Sequence, residues 1–208
     1  MREAHKPKTQ RVVKLAKIEK AIRSVLEAIG EDPEREGVKD TPGRVAKLYQ
    51  RIFSGIGQDP TSNLKSYRVD NQDGMILVRD IAFLSMCEHH LLPFFGRIHL
   101  AYLPSENRVA GLSSLTKTVE ILSQRPQLQE RLANDIADAL MKALAPQGLL
   151  VIVEAEHLCV AMNDNHKLGT STISTAARGV MREEPTRAEA FSLIVKQSRT
   201  NTKKHASH

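Results

Sequence analysis

A thiol and an imidazole stand three positions apart in Cys87-Glu88-His89-His90, and the second cysteine, Cys159, follows 72 positions later in His157-Leu158-Cys159. Thiolate and imidazole are ligand types that zinc prefers, and three protein ligands leave the fourth tetrahedral position to water. Such a site would be hydrolytic, because zinc lowers the pKa of bound water from about 16 to about 7. His89 and His157, one and two positions from these residues, could carry protons. Spacing alone leaves other readings open. The two cysteines could pair in a disulfide, or pack in a core as small apolar residues.

The composition narrows the surroundings of that chemistry. The charged stretch Arg2–Lys20 does not read as a signal peptide, so a cytoplasmic protein with reduced thiols is expected. The 208 residues, 41% hydrophobic and 26% charged, fit one sizeable soluble domain with a helical appendage. No apolar run approaches the roughly 20 residues of a membrane helix. The net charge of +6 sits at the ends: residues 1–11 carry +3, residues 196–208 carry +4, and the stretch between is near neutral at −1. With no tryptophan and 4% aromatics, neither a basic face nor a base-stacking platform is present, and no nucleic-acid role is expected.

The elements that must position the reactive residues follow from periodicity. Ile18, Ile22, Val25, Leu26 and Ile29 recur at helical spacing until Gly30 and Pro33. Asp40-Thr41-Pro42 opens a second helix, with Thr41 as N-cap and Pro42 at its first position. From about residue 75 the period changes. Met75–Phe83 reads as a strand with the Cys-Glu-His-His segment at its end, and Phe95–Leu103 reads as the next. A helix opened by Ser113 or Ser114 follows, then a second begun by Pro126. Leu149–Glu156 is a strong strand and Thr170–Met181 a weaker one. The order defines an α+β domain. The expected division is a basic tail (1–14), a helical region (15–70), a catalytic domain (71–195) and a second basic tail (196–208).

Several collinear motifs resemble those of type I GTP cyclohydrolases. They are Ser85-Met-Cys-Glu-His-His-Leu-Leu-Pro-Phe-Phe-Gly96, Gly111-Leu112-Ser113, Gln129-Glu130-Arg131-Leu132 and Glu154-Ala-Glu-His-Leu-Cys159. Thr41-Pro42-Gly43-Arg44-Val45-Ala46 upstream, and Arg182-Glu-Glu-Pro185 with Phe191 downstream, extend the likeness over about residues 15–195. The resemblance implies the tunnelling fold, an antiparallel sheet with two helices on one face. It further implies ring-like homo-oligomers, usually a decamer of two pentamers, with active sites at subunit boundaries.

The implied reaction opens the imidazole ring of GTP at C8, releases formate, rearranges the ribose and recloses to 7,8-dihydroneopterin triphosphate. By that likeness Cys87, His90 and Cys159 would hold Zn²⁺, and His89 and His157 would move protons. Ser113 would assist the sugar rearrangement. Glu130, with Gln129 beside it, would accept the guanine donors, and Arg44 and Lys117 would meet the triphosphate. The reading of Gln129 and Glu130 from composition alone is an ordinary exposed helix face.

The chain departs from the family pattern on the phosphate side. Ser114 stands where a lysine is usual, Lys117 where an arginine is usual, and Asn163 replaces an arginine in Val160-Ala161-Met162-Asn163-Asp164. Each charge-assisted hydrogen bond to phosphate contributes on the order of 1.5–3 kcal/mol, so the triphosphate grip is expected to weaken unless Lys167, His166 or Arg97 compensates. Two alternatives follow: the same ring opening on a guanine compound with fewer phosphates, or a zinc-binding paralogue without turnover. A third, the nitrile reductases of the same fold, needs a nucleophilic cysteine outside a zinc set, and both cysteines here lie inside one.

Overall fold

The computed structural model describes residues 13–163 and 169–202. Two helices come first, α1 (Leu15–Ala28) and α2 (Thr41–Ile52), packed mainly on each other. Gly30, at φ +85°, turns the chain after α1, a conformation glycine adopts without steric cost. Asp40 occupies the N-cap position of α2, one residue earlier than the spacing predicts and without a side-chain capping hydrogen bond, and Pro42 falls in the first turn, where a missing N–H breaks no bond.

The main sheet has five strands in the order β5 (Pro126–Gln127), β2 (Ile76–Cys87), β3 (Pro93–Leu103), β6 (Gly148–His157) and β7 (Ser171–Gly179). Its long strands are antiparallel, and β5 runs parallel to the end of β2. A separate antiparallel pair joins β1 (Ser66–Arg68) to β4 (Arg108–Ala110). Helices α3 (Leu112–Ser123) and α4 (Gln129–Leu144) cover one face of the sheet. Leu115, Val119, Leu132 and Ile136 meet Ile98, Leu100 and Val151 in the main core. An antiparallel sheet with two helices on one face is therefore what the chain builds.

Three elements differ from the sequence reading. Pro126 does not start a helix. It pairs with Met86 as part of β5, an edge position where a strand tolerates the missing N–H, and α4 begins at Gln129 after an extended Leu128. A short helix, α5 (Leu158–Asn163), follows β6 directly. A long helix, α6 (Glu184–Thr202), follows the 3-10 turn Val180–Arg182 and runs past the expected boundary at residue 195. Its Ala190 and Ile194 pack with Ala101, Leu150, Ile152 and Met181 on the second face of the sheet.

Register sets up the site. Met86 lies opposite Pro93, and Phe94 lies opposite His157, so the end of β2, the start of β3 and the end of β6 converge at one end of the sheet. The turn between β2 and β3 is tight. Leu91, at φ +52°, donates its N–H to the Cys87 carbonyl (2.8 Å), and the Cys87 N–H donates to Leu92 O (2.9 Å).

Candidate metal centre and active site

Cys87 is the last residue of β2, His90 sits in the turn that follows, and Cys159 lies in the first turn of α5. Neither cysteine is in a disulfide. The ligand atoms of the three residues all lie within 4.8 Å of one another, with Cys87 Sγ and His90 Nδ1 4.0 Å apart. Metal bonds of about 2.0–2.3 Å place tetrahedral ligand atoms roughly 3.4–3.8 Å apart, so a small contraction would seat an ion. Both cysteines are buried and His90 is exposed, which leaves an open side to the centre. Burial, and then the neighbouring Cys87 sulfur, push the Cys159 thiol above its ordinary pKa. Two sulfurs crowded together in an apolar wall are the surroundings a cation relieves. The donor set fits a divalent ion that favours sulfur and imidazole.

The first turn of α4 ties this centre to the rest of the fold with three consecutive side chains. Gln129 is 2% exposed. Its amide nitrogen donates to Val153 O (3.0 Å) and Thr172 O (2.8 Å), and its oxygen lies 2.7 Å from His157 Nε2. Glu130 is exposed and accepts a hydrogen bond from Ser174 Oγ (3.3 Å). Arg131 forms a two-bond ion pair with Glu88 in the turn between Cys87 and His90. That pairing lowers the Glu88 carboxyl below the usual carboxylate range, chiefly through the hydrogen bond from Arg131. Glu130 stands in the first turn of α4, the end of a helix where acidic side chains are favourably placed.

His157 stacks on Phe94, the rings parallel within 1° and 4.8 Å apart. Burial lowers its pKa, against an opposing pull from Glu130. His89 is exposed, with its ring edge-on to that of His90 at 6.2 Å.

The remaining sequence candidates sit elsewhere on the chain. Ser113 and Lys117 open onto a cleft of about 930 Å³ between α2, β2 and α3, and none of Cys87, His90 or Cys159 lines it. Ser113 stands at the start of α3 and β5 follows its end, roughly 15 Å away at the usual helical rise. Lys117 pairs with Glu120 (2.9 Å), and Arg44, on α2, pairs with Asp40 (3.2 Å). Ser114 is buried, and its Oγ accepts the Lys65 N–H (3.2 Å). Asn163 ends α5, and Asp164, His166 and Lys167 lie outside the described residues. Phe94 and the Glu88–Arg131 pair are contributors that sequence reasoning did not assign. Their residues stand inside the quoted motifs, but only the fold shows whom they meet.

The sheet, its two helices and a two-sulfur, one-imidazole centre at one end of the sheet define a tunnelling-fold protein of the metal-site type. The profile of the family described as GTP cyclohydrolase I matches residues 18–195. The chain is 54% identical over 183 residues to "GTP cyclohydrolase 1" of Carboxydothermus hydrogenoformans, covering 88% of this chain and 95% of that one. It is 52% identical to the protein of the same name from Pelotomaculum thermopropionicum, over 88% and 97% of the two chains. With that of Geobacillus kaustophilus it shares 50% identity over 88% and 97%. The chain belongs to the GTP cyclohydrolase I family. Among solved structures, the archaeosine synthase QueF-Like in the apo form aligns with a TM-score of 0.39 and 18% identity, over 50% of this chain and 93% of that one, a likeness too loose to bear on function.

Proposed function

We propose that the protein is a zinc-dependent GTP cyclohydrolase. It converts GTP and one water into formate and 7,8-dihydroneopterin triphosphate. The observation that carries this reading is the meeting of Cys87, His90 and Cys159 within 4.8 Å, with His157 two residues from Cys159, in a chain of this family. Zn²⁺ held by these three residues would supply the Lewis acidity that lets water attack a purine carbon near neutral pH.

The chain's own groups do the rest. Glu130 accepts hydrogen bonds from the guanine N1–H and 2-amino group, and adenine has no matching donors. His157 and His89 transfer protons as the imidazole ring opens. Ser113 assists the sugar rearrangement, and Lys117 and Arg44 face the phosphates.

Two features support assembly. β7 has no strand partner but β6 among the described residues, and β2 meets β5 only at Met86 and Cys87, so both sides of the sheet present open edges. The cleft bearing Ser113 and Lys117 is separate from the metal centre within one chain. A homo-oligomer joined through those edges, a decamer of two pentamers in the cytoplasm, would bring one copy's cleft to another's metal centre. No helix among the described residues is long and apolar enough to cross a membrane.

A second reading rests on the phosphate side. Lys117 and Arg44 are each paired with an acid, and Ser114 is buried on the Lys65 backbone. That pattern favours a guanine compound with fewer phosphates. Incubating zinc-loaded protein with GTP, GDP, GMP and guanosine, and following formate and pterin fluorescence, separates the readings. Turnover of GTP alone supports the first, and preference for GMP or guanosine supports the second. No turnover of any of them defeats both.

A further inference from the structure

We propose that Gln129 is a positioning residue. Its amide fixes His157 as the Nε2–H tautomer and leaves the ring's lone pair on Nδ1. The inference rests on the proposed function only in giving His157 a proton to move. The tautomer itself follows from hydrogen-bond logic.

Gln129 is the first residue of α4 and is 2% exposed. Its amide nitrogen lies 3.0 Å from Val153 O and 2.8 Å from Thr172 O, main-chain carbonyls of β6 and β7. Carbonyl oxygens only accept, so the group facing both of them must be the NH₂. Turning the amide over would set its oxygen against two acceptors. The Gln129 Oε1 is therefore the atom 2.7 Å from His157 Nε2. An amide oxygen also only accepts, so Nε2 carries the hydrogen. A neutral imidazole has one N–H and one lone pair, and the lone pair is then on Nδ1.

The ring has little freedom to escape this choice. Phe94, fully buried, lies parallel to it at 4.8 Å and fixes its plane. The His157 backbone is set by the β6 register opposite Phe94. Gln129 thus clamps three things at once: the middle of β6, the start of β7, and the Nε2 edge of His157.

A consequence separates Gln129 from its neighbour. Both side-chain N–H groups of Gln129 are occupied by the sheet, so its side chain has no donor left for a purine. Glu130 is exposed with carboxylate capacity beyond its one bond to Ser174, and it is the residue of this turn that can read a base. Gln129 acts through His157, and its loss would affect turnover rather than substrate capture.

Two measurements test this. Magic-angle-spinning NMR of sedimented, zinc-loaded protein carrying ¹⁵N-histidine, with the His157 signals identified by difference against His157→Asn, should show a protonated-type Nε2 and an unprotonated-type Nδ1. The reverse pattern would overturn the proposal. In steady-state kinetics Gln129→Met should lose about tenfold or more in kcat, with KM for GTP changed by less than about twofold and zinc content intact. A raised KM with kcat preserved would mark Gln129 as a substrate contact and overturn it as well. If Gln129→Met fails to fold, the wild-type spectrum still decides. If wild-type protein releases no formate from GTP, the proposed function falls while the spectrum still answers for the tautomer.

Discussion

Glu88 and Arg131 form a two-bond ion pair that joins the turn between two metal-site residues to the first turn of α4. Glu88 lies between Cys87 and His89, so the pair limits how far the turn can open. Arg131→Ala should release zinc about tenfold faster, the lower end of what outer-shell partners contribute to metal sites. Release into a colorimetric chelator measures it. The exchanged pair Glu88→Arg with Arg131→Glu should recover part of the loss, whereas a role in general folding would leave the exchanged protein as fast as the single variant.

Removing the metal should stop formate release without unfolding the sheet. The main core includes Ile98, Leu100, Leu132, Ile136 and Val151, apolar side chains buried between the sheet and its two helices. Treatment with a chelator is expected to abolish turnover, leave far-UV circular dichroism intact, and be reversed by Zn²⁺. Cys159→Ala should show the same phenotype without recovery. Collapse of the oligomer on chelation, with the fold of each chain lost, would point instead to a purely structural ion.

Glu120 holds Lys117 at 2.9 Å on the exposed side of α3. Freeing that cation should strengthen phosphate binding. An exposed ion pair contributes about 0.2–1 kcal/mol, so Glu120→Gln should lower KM for GTP by about 1.5–5-fold and leave guanosine binding unchanged. Competition assays with the two compounds distinguish a phosphate effect from a general one.

His99 gives the fold a definite pH dependence. It is 6% exposed, and its Nδ1 accepts the Asp80 N–H (3.2 Å) at the bulge of β2. Burial depresses its pKa. Asp80 and Glu154 pull it up and Arg79 and Arg97 push it down, without cancelling the burial effect. The unfolded chain, with histidine near 6.5, therefore binds more protons than the folded chain between the two pKa values, and stability rises with pH there. This contribution is complete above about pH 6.5 and is lost as pH falls through the folded pKa. Melting temperatures taken from pH 7.5 downward should show that slope in the wild type. His99→Gln should flatten it.

Gly96 marks a place where the sheet admits no side chain. A Cβ there would sit 1.9 Å from Glu154 O on β6. Gly96→Ala should force β3 and β6 apart beside the Phe94–His157 stack. Overpacking of this kind costs about 1–3 kcal/mol, which for a chain of this size lowers Tm by several degrees. Thermal unfolding measures it, and an unchanged Tm would contradict the close approach.

The long strands and the helices α1 to α4 were legible because their apolar residues repeat with clear periods. Boundaries were less so: β2 runs to Cys87 because its last residues pair with β5 as well as β3, a contact no local pattern announces. Pro126 read as a helix start because proline suits a first turn, while the sheet edge suits it equally well. α6 escaped because Ala190, Phe191 and Ile194 are its few apolar anchors amid a charged sequence, and only the second face of the sheet gives them a purpose. For the site, spacing left metal ligation and buried thiols both open. The β2–β3–β6 register resolves the geometry by bringing together residues 72 positions apart. The partners of Gln129 and Arg131 belong to tertiary structure and had no signature of their own.

Three neighbouring side chains at the head of α4 between them reach β6, β7 and the turn after β2, and this makes the segment tolerant of one kind of change and intolerant of another. Substitutions there can be judged residue by residue. A single inserted or deleted residue would rotate the helix by about 100° and swing all three away from their targets together. The length of the Pro126–Gln129 connection should therefore be fixed far more strictly than its composition.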